Sequence, residues 1–378
     1  MPDKGALPPI ALSGPDLGPE EEAAVVEVLR SGRLSMGPRT AEFEDALAAR
    51  AGVAHGVSTS SGTAALHVAV KALGLEPGDE GITTPFSFVA SSNCLLFEGA
   101  KPVFVDIEPD TLNIDPGRVR DAITERTRAI VAVDVFGHPA EWDTLREIAD
   151  QHGLKLIEDS AEAIGSAYKG RPAGGLGDVG VFAFYPNKQM TTGEGGALVT
   201  ADENTADLAR SLSNHGRGAD SEEWWLEHQR LGFNYRLSEI ACALGLVQLG
   251  RLDELLSRRA RVAGWYNERL AEVEGVEIPT VRDHVEIAWF VYVVRLTEGA
   301  TREERDRVIG GLKAKGIGCR NYFPPIHLQP FYREEFGYGP GDFPITESVS
   351  ERTVALPFHP GVTEAEVDRV VETLRELL

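Results

Sequence analysis

The chain is 378 residues long, 42% hydrophobic and 25% charged, with a formal net charge of −22 at pH 7. That length suits two domains, or one large domain with an appendage, of ordinary globular composition. The acidity argues against nucleic acid and anionic membrane surfaces as partners, because a phosphate backbone needs basic neutralisation, whereas small anions can still be held by local charges and backbone amides. Cys94, Cys242 and Cys319 show no paired spacing, which argues against a disulfide framework or a zinc site, and no metal is expected. The first residues lack a basic-then-apolar leader and no apolar run reaches transmembrane length, so a cytoplasmic place is expected.

Along the chain, residues 19–30 pair an acidic first turn with apolar residues at helical spacing, and a second helix is predicted over 40–51 with Phe43 and Leu47 on one face. A short strand at 55–58 runs into the polar stretch Thr59-Ser60-Ser61-Gly62-Thr63, then a helix to about residue 73. From 81 to 159, β-rich runs (KPVFVDI, RAIVAVDVFG, LKLIEDS) alternate with helical segments, one of them over 142–152. Such alternation implies a mainly parallel sheet covered on both faces, with ligands outside the carboxyl ends of the strands. An apolar strand at 179–185, a polar loop carrying Lys188, a glycine-rich bend at 193–196 and a strand at 197–200 follow. Residues 238–273 read as one very long helix or two broken at Gly250, which puts a domain boundary near 250: 1–250 and 251–378. Beyond it come a strand (FVYVVRL), a helix over 301–315, a loop over 317–343, and a last helix opened by Thr363 with a capping-box pattern.

Three positions on the strand-end rim could carry chemistry. Lys188 stands alone between Lys169 and Lys313, and a lysine at a strand mouth is either a Schiff-base former or a salt-bridged end residue. Asp159 ends an apolar strand, where a carboxylate can pair with a protonated cofactor ring nitrogen or cap the next turn; Glu158 should face the other way. The 59–63 stretch offers amides and a positive dipole end to a phosphate, or an ordinary N-cap. GLGDVG at 175–180 has no strand before it or helix after it, so it reads as a turn and not as a dinucleotide loop. His215, His327 and an aromatic of the pair Phe86 and Phe88 lie in loop-like surroundings where they could meet substrate or simply pack.

The linked motifs SSGTAALHVAV, TPFSFVASSN, VDVFGHP, IEDSAEAIGSAYKG, VFAFYPNKQMTTGEGG, LGFNYRLSEIACALGLVQL and YFPPIHLQPFY resemble those of the DegT/DnrJ/StrS-type family. Its members are pyridoxal-phosphate-dependent aminotransferases of sugar nucleotides. The resemblance implies an α/β fold of the aspartate-aminotransferase type (fold type I), a large domain with a mainly parallel mixed sheet and a smaller C-terminal one, assembled as a homodimer with its sites at the interface. It implies Lys188 as the Schiff-base lysine and proton shuttle, Asp159 on the pyridinium nitrogen, and Phe88 stacked on the ring. Gly62, Thr63 and Ala64 would hold the phosphate, with Asn234 reaching it from the neighbouring subunit. Three positions depart from the family: Ala183 where many relatives have serine, Tyr185 where sugar C4-aminating relatives often have histidine, and Glu162 where glutamine or histidine is usual near the ring hydroxyl. A carboxylate at 162 is expected to be protonated or turned away. Arg236 and Arg320 are candidates for the donor carboxylate or the substrate diphosphate, and glutamate is the expected donor. A relative acting on a cyclitol or forming an aromatic amine, and a non-catalytic cofactor-binding regulator, are the alternatives.

Overall fold

The computed structural model describes residues 8–218 and 227–378. Helices α1 (Pro19–Ser31) and α2 (Pro38–Ala51) lead into β1 (His55–Thr59) and α3 (Gly62–Ala72). Then come β2 (Glu80–Thr83), α4 (Ala90–Leu96), β3 (Lys101–Phe104), α5 (Pro116–Asp121), β4 (Thr127–Val133), α6 (Trp142–His152) and β5 (Lys155–Asp159). The short strands β6 (Ala167–Tyr168) and β7 (Arg171–Pro172) precede β8 (Val179–Ala183), β9 (Gly196–Thr200) and α7 (Glu203–Ser213).

The central sheet has seven strands in the order β1-β9-β8-β5-β4-β2-β3. β8, β5, β4, β2 and β3 are parallel, and only β9 runs against its neighbours β1 and β8. The carboxyl ends of β1, β2, β4, β5 and β8 therefore share one rim with the start of β9. Both faces are buried: Val68, Val131 and Val181 belong to one apolar cluster, and Ile130, Trp142 and Leu156 to another. Phe43 and Leu47, the expected inner face of α2, are fully buried against Phe182 and Phe184.

The stretch after residue 238 is two helices, α8 (Glu239–Gly250) and α9 (Leu252–Leu270), broken at Arg251, whose guanidinium is turned to Asp16 and Glu21. Next are β10 (Val276–Glu277), β11 (Val285–Glu286), β12 (Tyr292–Leu296), α10 (Arg302–Ala314), α11 (Pro330–Phe336), α12 (Pro344–Arg352), β13 (Thr353–Leu356) and α13 (Glu364–Leu377). An antiparallel sheet β10-β12-β13 packs with α9, α10 and α13 through Tyr266, Val294, Leu312 and Leu374, and Ile10 joins that core from the N-terminal segment. The 317–343 segment is not all loop. Pro330 starts α11, whose Tyr332 packs on Phe104 beside Ile326, so tertiary contacts supply the helix that proline and aromatic content hid. β8 also ends two residues early, at Ala183, because the chain turns at Tyr185, whose carbonyl accepts the Lys188 N–H. Among the described residues no helix is long and apolar enough to cross a membrane.

Candidate active site

Alternation along β5 sends Glu158 and Asp159 to opposite faces. Glu158 accepts the N–H groups of Gly174, Leu176 and Gly177 at 2.6, 2.7 and 3.3 Å, so the GLGDVG segment is a turn gathered around a buried carboxylate. Asp159 faces the rim and is 3% exposed. Its Oδ2 accepts from Ser91 Oγ at 2.7 Å and its Oδ1 from the Ala161 N–H at 3.2 Å. The second contact is the local turn-capping one; the first comes from α4. Burial raises the Asp159 pKa, while those two bonds and the charge of Lys188 hold it down.

Lys188 leaves the tight turn after β8 with its side chain only 13% exposed. Its Nζ is 3.4 Å from Glu162 Oε1 and sits 4.1 Å from the centre of the Phe290 ring. Arg259, on α9, spans this arrangement from behind: Nη2 donates to the Lys188 carbonyl and Nη1 to the Phe290 carbonyl, both at 2.9 Å. That guanidinium is buried, which lowers its pKa to about 10. Glu162 is not turned away. It faces the lysine and accepts the Phe136 N–H on Oε2 at 2.9 Å. Burial pushes its pKa up, Lys188 and Phe136 pull it back, and Asp159 adds to the rise.

Beside them is a cradle shaped by missing side chains. Ser61 caps α3, accepting the Ala64 N–H on its hydroxyl at 3.1 Å. A Cβ on Gly62 would lie 2.6 Å from the Ala183 Cβ, and one on Gly196 would lie 2.5 Å from the Gly62 nitrogen. Glycine at both places lets the helix start press onto the ends of β8 and β9, leaving the first-turn amides of Gly62 and Thr63 beside a rim that already holds Lys188 and Asp159.

The family model for the DegT/DnrJ/EryC1/StrS aminotransferases matches residues 15–375. The chain belongs to that family. GDP-perosamine synthase of Caulobacter vibrioides is 40% identical over 374 residues, covering 98% of this chain and 99% of the relative. The fold is that of DesV from S. venezuelae, solved in complex with a ketimine intermediate (TM-score 0.91, 36% identity, 98% of each chain). It is also that of the sugar aminotransferase Spr1654 from Streptococcus pneumoniae in its PMP form (TM-score 0.93, 30% identity, 97% of this chain and 98% of that one). Fold type I and a pyridoxal-phosphate-dependent transaminase activity follow for this member of the aminotransferase family.

The remaining candidates are spread unevenly around this aminotransferase site. Phe86 is wholly buried, while Phe88 is 62% exposed, an aromatic free to meet a flat ring. Tyr185 is exposed; Asn187 and Arg320 act on the Tyr322 hydroxyl, whose pKa burial raises. Arg320 is otherwise tied by its backbone to Ala355. Arg236 donates to Asn214 Oδ1 at 2.9 Å and lines a cleft of about 250 Å³ with Thr40, Glu44 and Arg210. Exposed Asn234 forms a backbone bridge with Asn214, and the next carbonyl, of Tyr235, accepts the Ser60 N–H, so this strand passes the cradle of its own chain. His215 lies beside it, bonded to Phe233 through its backbone. His327 is not brought to the rim: it is fully buried, bonded to Glu347 at 3.1 Å and walled by Tyr338 and Phe343, a packing role. Ser91, Arg259, Phe290 and Tyr322 complete the site without having been singled out in the sequence. Ser91 and Tyr322 carry a signal there, as a hydroxyl in the polar run TPFSFVASSN and as the first residue of YFPPIHLQPFY.

Proposed function

We propose that the protein transfers an amino group from an amino acid, glutamate in this reading, to a keto carbon of a sugar attached to a nucleotide. The observation that carries it is the pairing, on one rim, of a nearly buried Lys188 with a buried Asp159 that makes no ion-pair contact among the described residues. The residues fit the cofactor. Pyridoxal phosphate bound here supplies an aldehyde for amines and an electron sink for the electrons left when an α-proton departs.

The protein's part is positional and proton-handling. The first turn of α3, with Gly62, Thr63 and Ala64, supports a phosphate. Asp159, held by Ser91, supports a protonated ring nitrogen, and Phe88 offers its face to the ring. Lys188 is the amine that attaches the cofactor. When freed, its Nζ takes the proton from the donor α-carbon and returns one in the opposite half-reaction. Glu162, 3.4 Å from that Nζ, takes the lysine's hydrogen bond and orients the amine. Phe290 and Arg259 close the back of the lysine against water. Arg236 and Arg320 are the guanidinium groups assigned to the donor carboxylate and the diphosphate, Tyr185 and His215 are assigned to the sugar side, and Asn234 is assigned to the neighbouring subunit's phosphate in a cytoplasmic homodimer. Residues 1–250 then form the cofactor domain, and 251–378 a smaller domain supplying Arg259, Phe290 and Arg320.

The relatives' names support the sugar-nucleotide reading, GDP-perosamine synthase above all. The test is a panel of nucleotide-linked ketosugars, ketocyclitols and aromatic-amine precursors with nitrogen-labelled glutamate. Label in the nucleotide-linked amino sugar is expected; label appearing only in a cyclitol or aromatic product contradicts the assignment.

A further inference from the structure

Beneath Asp159, on the other face of the sheet, lies a chain of three side chains that the amino-transfer chemistry does not use. Ser160 Oγ is 2.6 Å from Glu158 Oε1 and 2.8 Å from Asp134 Oδ2. Both are ordinary hydrogen-bond lengths for oxygen pairs, so each contact needs a hydrogen. A serine hydroxyl has one, and an ionised carboxylate has none to give. One of the two carboxyls must therefore carry a proton.

Geometry decides which. Both oxygens of Glu158 receive N–H donors, Gly174 on Oε1, and Leu176 and Gly177 on Oε2, so a proton on either would leave its N–H donors on a hydroxyl oxygen, a weaker acceptor than a carboxylate. Asp134 instead receives both of its N–H donors, Ala140 and the Trp142 indole, on Oδ1 at 2.9 Å, and its Oδ2, which faces the serine and the Glu158 carboxyl, receives no N–H donor. We propose that Asp134 is a neutral carboxylic acid that donates through Oδ2 to Ser160, which donates in turn to an ionised Glu158, forming a one-proton chain that positions the active-site ends of β5 and β8. Neither carboxyl has a lysine, arginine or histidine partner among the described residues, and each has the other as a close neighbour, so ionising both would leave two buried anions uncompensated. Burial first, then Glu158, raises the Asp134 pKa far above its ordinary value.

Asp134 also donates its N–H to the Asp159 carbonyl at 3.1 Å, just past the Val133–Asp159 register pair. Glu158 gathers the turn that feeds β8 and so fixes Ala183 against Gly62. Asp134 is thus a positioning residue for both the ring carboxylate and the phosphate cradle.

The test uses holoenzyme of the wild type, Asp134→Asn, Asp134→Ala and Glu158→Gln. In infrared spectra at pH 8, a protonated-carboxyl C=O band is expected in the wild type and lost in Asp134→Asn. Asparagine can donate to Ser160 as the acid does, so its cofactor dissociation constant should stay within about threefold of wild type, whereas the alanine and Glu158→Gln variants should weaken it about tenfold or more. Asp134→Asn should also leave the pH profile of the cofactor absorbance unmoved. The proposal is overturned if Asp134→Asn leaves the infrared band intact. It is also overturned if Asp134→Asn harms as much as Asp134→Ala, or if Glu158→Gln is the variant tolerated. The infrared result does not depend on the role given to Asp159, so it separates this proposal from the amino-transfer reading.

Discussion

Ser91 Oγ donates to Asp159 Oδ2 across 2.7 Å, and the helix that carries it is itself pinned from the C-terminal half. Ser92 shares a 2.8 Å hydrogen bond with the Tyr332 hydroxyl, which donates to Asn93 Oδ1 at 2.7 Å. The carboxylate that would face the ring is thereby oriented by α4, and α4 by α11. Ser91→Ala frees one oxygen of a buried carboxyl, so cofactor affinity should fall by roughly tenfold, the equivalent of one good hydrogen bond to a charged group. An absorbance titration with pyridoxal phosphate measures it, and unchanged affinity would remove Ser91 from the site. Tyr332→Phe should give a smaller loss of the same kind.

Arg259 is the second load on the site. Its removal by Arg259→Ala leaves the Lys188 and Phe290 carbonyls buried without donors and opens a cavity, at a cost of about 3 kcal/mol or more. Urea unfolding of the cofactor-free protein should show that loss. Arg259→Lys should recover only part of it, because an ammonium cannot span both carbonyls in the fixed fork of a guanidinium.

The Gly62–Ala183 contact gives two opposed expectations. Gly62→Ala drives a methyl to 2.6 Å from the Ala183 Cβ, overpacking worth roughly 1–3 kcal/mol that tilts the start of α3 and loosens the phosphate. Ala183→Ser adds a hydroxyl beside the same amides and should tighten cofactor binding by about fivefold through one extra hydrogen bond. Equilibrium titration of both variants checks the pair; tighter binding by Gly62→Ala would contradict the cradle.

Glu162 makes a pH prediction. Burial holds its folded-state pKa above the ordinary value of 4.5. Between 4.5 and the folded value the native state keeps a proton that the unfolded chain has released. This contribution to stability is therefore complete below 4.5 and is lost as pH rises through the folded pKa. Asp159 and Asp134 act in the same direction. Glu162→Gln should make the decline in urea midpoint from acid to neutral pH shallower without abolishing it, and a steeper decline would show the sign to be wrong.

Residues whose place on the rim is set by chain-local pattern can be read from the sequence. Lys188 follows an apolar strand, Asp159 ends one, and Gly62 opens a helix; each announces itself within a few neighbours. The capping box at Thr363 is legible for the same reason, as is a break beside Gly250, which falls one residue on at Arg251. What stayed hidden depends on contacts across long separations. Ser91 reaches Asp159 over 68 residues and Arg259 reaches Lys188 over 71, and nothing near Arg259 distinguishes it from the other arginines of its helix. α11 is not legible in the sequence because its helicity rests on Tyr332 packing against Phe104 and not on spacing. Tyr338 and Phe343 bury His327 completely, which agrees with the packing alternative that its loop-like surroundings leave open. Glu162 divides its expectation: the fold does not turn it away, because Lys188 lies 3.4 Å from it, yet burial still raises its pKa in the direction of the protonated form.

The central claim is that Lys188 is the amine that bonds the cofactor. Borohydride reduction of the holoenzyme followed by peptide mass mapping tests it directly. The account predicts a single phosphopyridoxyl adduct on Lys188, absent from Lys188→Ala. An adduct at another lysine, or an undiminished active-site adduct in Lys188→Ala, would contradict it.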